Sequence, residues 1–119
     1  MNIESFRNFC LELPGTTESF PFDETTLVFK VAGKMYALAS LDSVPLRVNL
    51  KCEPEEALRL RMQWPEDVLP GYHMNKKHWN TVVFEGLLPD DLLQELIRHS
   101  YELVVKGLPR KLRDTLLQP

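Results

Sequence analysis

The chain has 119 residues, 14 Lys and Arg against 17 Asp and Glu, a formal net charge of −3 and 44% hydrophobic residues. Such figures fit a single globular domain spanning residues 1–119, able to bury its own core, and argue against the uniformly basic surface of a general nucleic-acid coat. No apolar run reaches the roughly 18 residues of a membrane span, and the opening stretch, interrupted by Glu4 and Glu12, does not read as a secretory leader.

Asn2 suits the N-cap of a first helix in which Ile3, Phe6, Phe9, Cys10 and Leu13 recur at helical spacing, ended by Pro14 and Gly15. The stretch Glu18–Phe22 reads as a short edge strand, because Pro21 cannot donate to a ladder. From Leu27 the period becomes two. Leu27, Phe29 and Val31 alternate with Val28 and Lys30, then Met35, Ala37 and Ala39 with Tyr36 and Leu38, across a turn at Ala32-Gly33: an antiparallel hairpin. Leu46, Val48 and Leu50 predict a further half-buried strand whose other face carries Arg47, Asn49 and Lys51.

Pro54, with Glu53, Glu55 and Glu56 at the positive end of the dipole, opens a helix that runs on to Met62. Residues 63–78 read as a loop, followed by a strand from Trp79. The longest helix follows, capped by Asp90 or Asp91, with Leu93, Leu96, Ile97, Tyr101, Val104 and Leu108 as its apolar stripe and Gly107 at its C-cap. Pro109 begins a last short helix. Strands grouped together, with helices before and after, predict an α+β fold: an antiparallel sheet with helices packed on one face.

Charge is unevenly spread. The first 26 residues carry Arg7 against Glu4, Glu12, Glu18, Asp23 and Glu24, whereas no acid lies between Val68 and Phe84. Cys10 and Cys52 have no disulfide or CxxC spacing and are expected to be reduced, at least partly buried thiols of a cytoplasmic protein. His73 and His78 have the spacing of half a zinc finger, but the other two ligands are missing and Lys76 and Lys77 would repel a cation, so no metal is expected. There is no GxSxG, P-loop or GxGxxG, and the clustered acids are explained as helix starts, so neither a catalytic role nor a cofactor is expected.

The acid-free stretch Tyr72–Trp79 is the best candidate site. Lys76 and Lys77 suit phosphates or carboxylates, Asn75 and His78 can donate hydrogen bonds, and Tyr72 or Trp79 offers a flat surface for a base. A plainer reading has Trp79 anchoring its strand in the core, Asn75 making a turn and the lysines merely solvated. His99, on the long helix, reads as solvated or packed at the helix edge.

Asn75–Trp79, NKKHW, after PGYH, resembles the N-K-x-H-W signature of the MmcQ/YjbR family of small bacterial proteins. LPGTTESFPF, FKVAGKMYAL, LKCEPEEALRLR and SYELVVKGLPRKLR agree with it in order along nearly the whole chain. The resemblance implies a frataxin-like (CyaY-like) α/β sandwich and the DNA-binding label that the family commonly carries. On that label Asn75, Lys76, His78 and Trp79 are the residues carried over, with Lys51 at its strand end; Lys77 contributes through charge alone, and Arg110, Lys111 and Arg113 offer a second phosphate contact. The shape also raises iron binding, for which Glu4, Glu12 and Glu18 make only a sparse acidic ridge.

The expectation is therefore a monomeric, non-catalytic DNA-binding protein that contacts phosphates through Lys51, Tyr72, Asn75, Lys76, Lys77, His78, Trp79, Arg110 and Lys111. The alternatives are a protein-interaction or small-anion-binding module and, third, an enzyme using His78 as a base.

Overall fold

The computed structural model describes residues 1–117; the last two positions of the expected 1–119 domain lie outside the described residues. The elements, in order, are α1 (Ile3–Glu12), β1 (Thr16–Ser19), β2 (Thr26–Val31), β3 (Lys34–Ser40), β4 (Arg47–Lys51), α2 (Pro54–Gln63), β5 (Val68–Pro70), β6 (Trp79–Val83), α3 (Asp90–Lys106) and α4 (Arg110–Leu117). The strands form one six-stranded antiparallel sheet in the order β1-β2-β3-β4-β6-β5. The fold is α+β, as the grouping of strands and helices predicts.

One sheet face meets the helices. Phe6 and Cys10 from α1, Ala57 and Leu60 from α2, and Leu93, Leu96, Ile97, Tyr101 and Val104 from α3 pack onto Leu27, Phe29, Val31, Tyr36, Ala37, Ala39, Val48, Leu50, Val82 and Phe84. Phe6 sits at the centre, edge-on to both Phe29 and Phe84 with ring centroids 5.3 and 5.2 Å away. The outer face carries no helix. Loops shield only part of it, so small and polar residues such as Thr26, Ser40, Asn49 and Thr81 line its floor.

The hairpin forms as its turn residues demand. Ala32 and Gly33 both take positive φ (50° and 77°), the geometry that joins two right-twisted strands in two residues. Its alternation is broken, however. The register shifts between Phe29, opposite Ala37, and Lys30, opposite Met35, so Tyr36 is an extra residue on β3. Tyr36 consequently joins the core and Met35 lines the outer face, the reverse of strict alternation. The Tyr36 hydroxyl bonds with Thr16 Oγ1 at 2.9 Å and donates to Cys10 O at 3.3 Å. Ser100 Oγ donates to Tyr36 O at 2.5 Å and accepts from Lys51 N at 2.8 Å, stitching α3 to the hairpin and to β4.

Other sequence expectations shift as well. The first edge strand ends at Ser19, before Phe20 and Pro21, and lies one stretch earlier than Glu18–Phe22. The 63–78 segment contains β5, three residues ending at Pro70, which is tolerated because the strand is on the edge. α3 starts behind Pro89 with no side-chain cap; Asp90 instead pairs with the Met1 ammonium at 3.0 Å, and Asp91 accepts from the adjacent Leu92 N–H. Asn2 does cap α1, its side chain accepting from Ser5 N at 2.8 Å.

Candidate anion site and the open face of the sheet

Antiparallel register sorts the chain into two ends. At the hairpin end lie the Ala32-Gly33 turn, Lys51 at the close of β4, Pro70 at the close of β5 and Trp79 at the start of β6. α3 also finishes there: Leu103, Val104, Gly107 and Leu108 line a recess of about 280 Å³ with Lys34, Met35 and Lys51. α4 follows, with Arg110 and Lys111 in its first turn. At the far end, Asp23 and Glu24 precede β2, Asp42 follows β3, Glu66 and Asp67 precede β5, Glu85 follows β6, and Asp90 opens α3. Acids are not confined to the far end: Glu12 closes α1, Glu53, Glu55 and Glu56 open α2, Glu102 stands near the end of α3 and Asp114 lies on α4, all toward the hairpin end, while the basic Arg47 opens β4 at the far end.

The loop joining β5 to β6 is fixed from within and from α2. Asn75 Oδ1 accepts from Lys77 N at 2.9 Å, and Asn75 O accepts from His78 N and Trp79 N at 3.2 and 3.0 Å, a tight turn of the kind asparagine favours. Gly71 N donates to Trp79 O at 2.9 Å, closing the loop's base. A Cβ at Gly71 would stand 2.8 Å from Trp79 Cβ and 2.9 Å from Trp79 O, so only glycine fits.

Arg61, on α2, reaches beneath the turn: its Nε donates to Asn80 Oδ1 at 2.7 Å, and its Nη2 donates to Trp79 O at 3.2 Å and to Lys76 O. Asn80 is 2% exposed and donates in turn to Ala57 O at 3.4 Å. The sequence pattern did not single out Arg61 as a site residue. It is the residue that ties the loop to the helix.

Of the predicted site residues, Tyr72, Asn75, Lys76 and Lys77 are exposed, and Lys51, His78 and Trp79 are half-buried. Register sets Lys51 opposite Trp79. Trp79 stands outside the core cluster, so it does not anchor its strand there. Among the described residues no carboxylate pairs with Lys51, Lys76 or Lys77. Lys76 Nζ donates to Gly71 O at 3.2 Å, which leaves the ammonium group two further donors. Arg110 and Lys111 share the same end of the molecule, but Arg110 faces Asp114 at 3.8 Å. His99 does more than sit at the helix edge: its Nε2 accepts from Glu53 N at 3.2 Å, at the start of α2.

The outer face supplies a second feature. Two recesses of about 440 and 340 Å³ adjoin there and share Ser40, Asp42, Asn49 and Tyr72. Their tyrosine wall is held by its backbone: Tyr72 N donates to Thr81 Oγ1 at 2.9 Å, Asn49 Nδ2 donates to Tyr72 O at 3.1 Å, and Thr81 Oγ1 donates to Asn49 Oδ1 at 2.5 Å. His73 follows at φ +60°, a conformation L residues seldom adopt, with its ring 4.0 Å from that of Tyr72. Across the recess the Phe22 loop is organised by Asp23. Its Oδ1 accepts from Thr25 N and Thr26 N at 3.0 and 2.7 Å, and these bonds hold its carboxyl below the ordinary value. His78 lines neither recess.

Both cysteines are free and buried. Desolvation pushes the Cys10 thiol up to about 12 and the Cys52 thiol up to about 11, so neither is an activated nucleophile. Among the described residues no three His, Cys, Asp or Glu side chains gather to hold a metal, and no helix is long and apolar enough to cross a membrane.

The chain has known counterparts. The YjbR family profile matches residues 11–103, and the chain belongs to that family. It is 36% identical to the uncharacterised protein YjbR of Escherichia coli strain K12 over 118 residues, 99% of each chain. It is 40% identical to the uncharacterised protein YbdF of Escherichia coli O157:H7 over 109 residues, 91% of this chain and 88% of that one. The crystal structure of the Deinococcus radiodurans protein DR2400 matches it with a TM-score of 0.93 and 46% identity, covering 99% of this chain and 89% of the other. A Pseudomonas syringae protein structure matches with a TM-score of 0.71 and 28% identity, over 87% and 98% of the two chains.

Proposed function

We propose that this protein binds DNA without catalysis, gripping backbone phosphates with the hairpin end of its sheet. The observation that carries the reading is the set Lys51, Lys76 and Lys77, gathered at one end with no carboxylate partner among the described residues, two of them on a loop that Arg61 holds rigid. A preformed loop loses little conformational freedom on binding, so its charge is available at small entropic cost. Asn75 and His78 keep the turn in shape, while Trp79 and Tyr72 flank it. Arg110 and Lys111 extend the same end and act as secondary contacts, weakened at Arg110 by Asp114. The reading includes a monomer in the cytoplasm and the frataxin-like description of the sandwich.

Fluorescence anisotropy with a labelled duplex tests it. In about 50 mM salt the protein should bind at micromolar concentration, with affinity falling steeply as salt rises through counterion release. Lys76→Ala and Lys77→Ala should each flatten the log–log salt slope by about one unit and leave the melting temperature unchanged. Absence of binding at low salt ends the proposal. Displacement of the duplex by low concentrations of inorganic phosphate transfers the loop to the small-anion reading.

A further inference from the structure

We infer that the larger recess on the open face of the sheet is a binding site for a small organic cation, an alkylammonium group on an apolar body. It shares Tyr72 with the surface proposed for DNA but is lined by none of that surface's lysines, so it does not rest on the DNA reading.

The recess is built with facing walls. Phe22 enters from the loop before β2 and Tyr72 from the loop after β5, and the floor between them spans β2, β3 and β4. Both rings are open to solvent, Phe22 at 64% and Tyr72 at 69% exposure, an unusual state for two aromatic residues bordering one hollow. Met35 and Leu38 supply apolar floor. The volume of about 440 Å³ falls within the range of about 300–1,000 Å³ typical of small-molecule sites.

Charge selects the ligand class. Asp23 and Asp42 line the recess and no Lys or Arg does. Asp23 is held ionised by its turn, and Asp42 has no hydrogen-bond or ion-pair partner among the described residues. Two carboxylates beside exposed aromatic faces attract a cation through both Coulomb and ring-quadrupole terms, while methionine and leucine below accept its hydrocarbon part. Arg47 lines only the adjoining recess, so an anion has no Lys or Arg partner in this one. The Tyr72 wall is set in advance by Asn49 and Thr81, which take both of its backbone polar groups.

The test is an amide NMR titration with cadaverine, its neutral counterpart pentanediol and its anionic counterpart glutarate. Cadaverine should shift Thr26, Leu38, Asn49 and Tyr72 amides; pentanediol should bind several-fold more weakly and glutarate not at all. Asp42→Asn and Phe22→Ala, both at exposed positions, should each weaken cadaverine about threefold while melting as the parent does. N-acetyl-lysine methylamide forms a further arm: binding tighter than cadaverine assigns the recess to a protein's lysine side chain rather than a free amine. Equal affinity for cadaverine and pentanediol, or shifts centred on Asp67 and Asp90 instead of the recess, overturns the inference.

Discussion

Two loops, one at each end of the sheet, are held by single charged side chains of opposite sign. At the far end the Asp23 carboxylate accepts backbone N–H groups of Thr25 and Thr26. At the hairpin end the Arg61 guanidinium donates to the carbonyls of Lys76 and Trp79 and to Asn80 Oδ1. The chemistry is complementary, but the span differs. Asp23 reaches two and three residues along its own chain, whereas Arg61 reaches 15 to 19 residues, from a helix to a loop. A local clamp shapes one turn; a remote clamp couples two elements. Disturbing Arg61 should therefore be felt far more widely than disturbing Asp23.

The largest expected effect is that of Arg61→Met. It removes donors from two carbonyls and from the buried Asn80 oxygen, and should cost about 2–3 kcal/mol in urea unfolding, as loss of charge-assisted bonds to buried acceptors does. Because Cys52 N donates to His78 O at 2.8 Å, a loosened loop should also speed modification of the Cys52 thiol by maleimide while Cys10 stays protected. Equal protection of both thiols would mean that the loop holds without its arginine. Gly71→Ala attacks the same loop at its base. A Cβ that close to the Trp79 backbone forces the chain apart, at a cost of about 1–2 kcal/mol read from the shift of the urea midpoint.

The smallest effect belongs to Asp23 and is written in pH. Its carboxyl is depressed in the folded chain, first by the Thr25 N–H and then by that of Thr26. A depressed folded value means that the stabilisation is present above the ordinary carboxylate value of about 4 and is lost as pH falls through the folded value. Glu18 beside Arg7 and Glu56 beside Arg59 shift in the same direction, so the wild-type melting temperature should decline below about pH 4 from all three. Asp23→Asn should lower the melting temperature slightly at neutral pH and make the acid decline shallower. A variant whose melting curve tracks the parent at every pH would show that the Asp23 turn contributes nothing.

The contrast of spans also explains what could be read in advance. Asn2 capping α1 is a local signal, and so is the Ala32-Gly33 turn; both were legible, as was the α+β order. The family signature marked Asn75, Lys76, His78 and Trp79 because they fall within five consecutive positions. The β5 strand escaped because three residues ending in proline show no period. The bulge at Tyr36 escaped because alternation gives no warning of an inserted residue, and Met35 and Tyr36 exchanged faces as a result. Asp90 and Asp91 suggested a cap, yet the ammonium group of Met1 draws Asp90 away from that role. Arg61, Asn49 and Thr81 meet their partners only through tertiary folding, so nothing in their neighbourhood along the chain marked them. Phe22 is of the same kind: Tyr72 was marked by its loop, but the wall that joins it, about 50 residues earlier in sequence, was not.

The additional residue at Tyr36 has a practical corollary. With its ring sealed between Thr16 and Cys10 and its carbonyl bound by Ser100, strand alignment in the hairpin is pinned well inside the tip. The tip itself is uncrowded, since a Cβ at Gly33 would meet nothing within 4 Å. Hence Ala32, exposed at that corner and already an L residue at positive φ, is a natural attachment point for a dye beside Lys34, whereas Gly33 at φ 77° has to stay glycine.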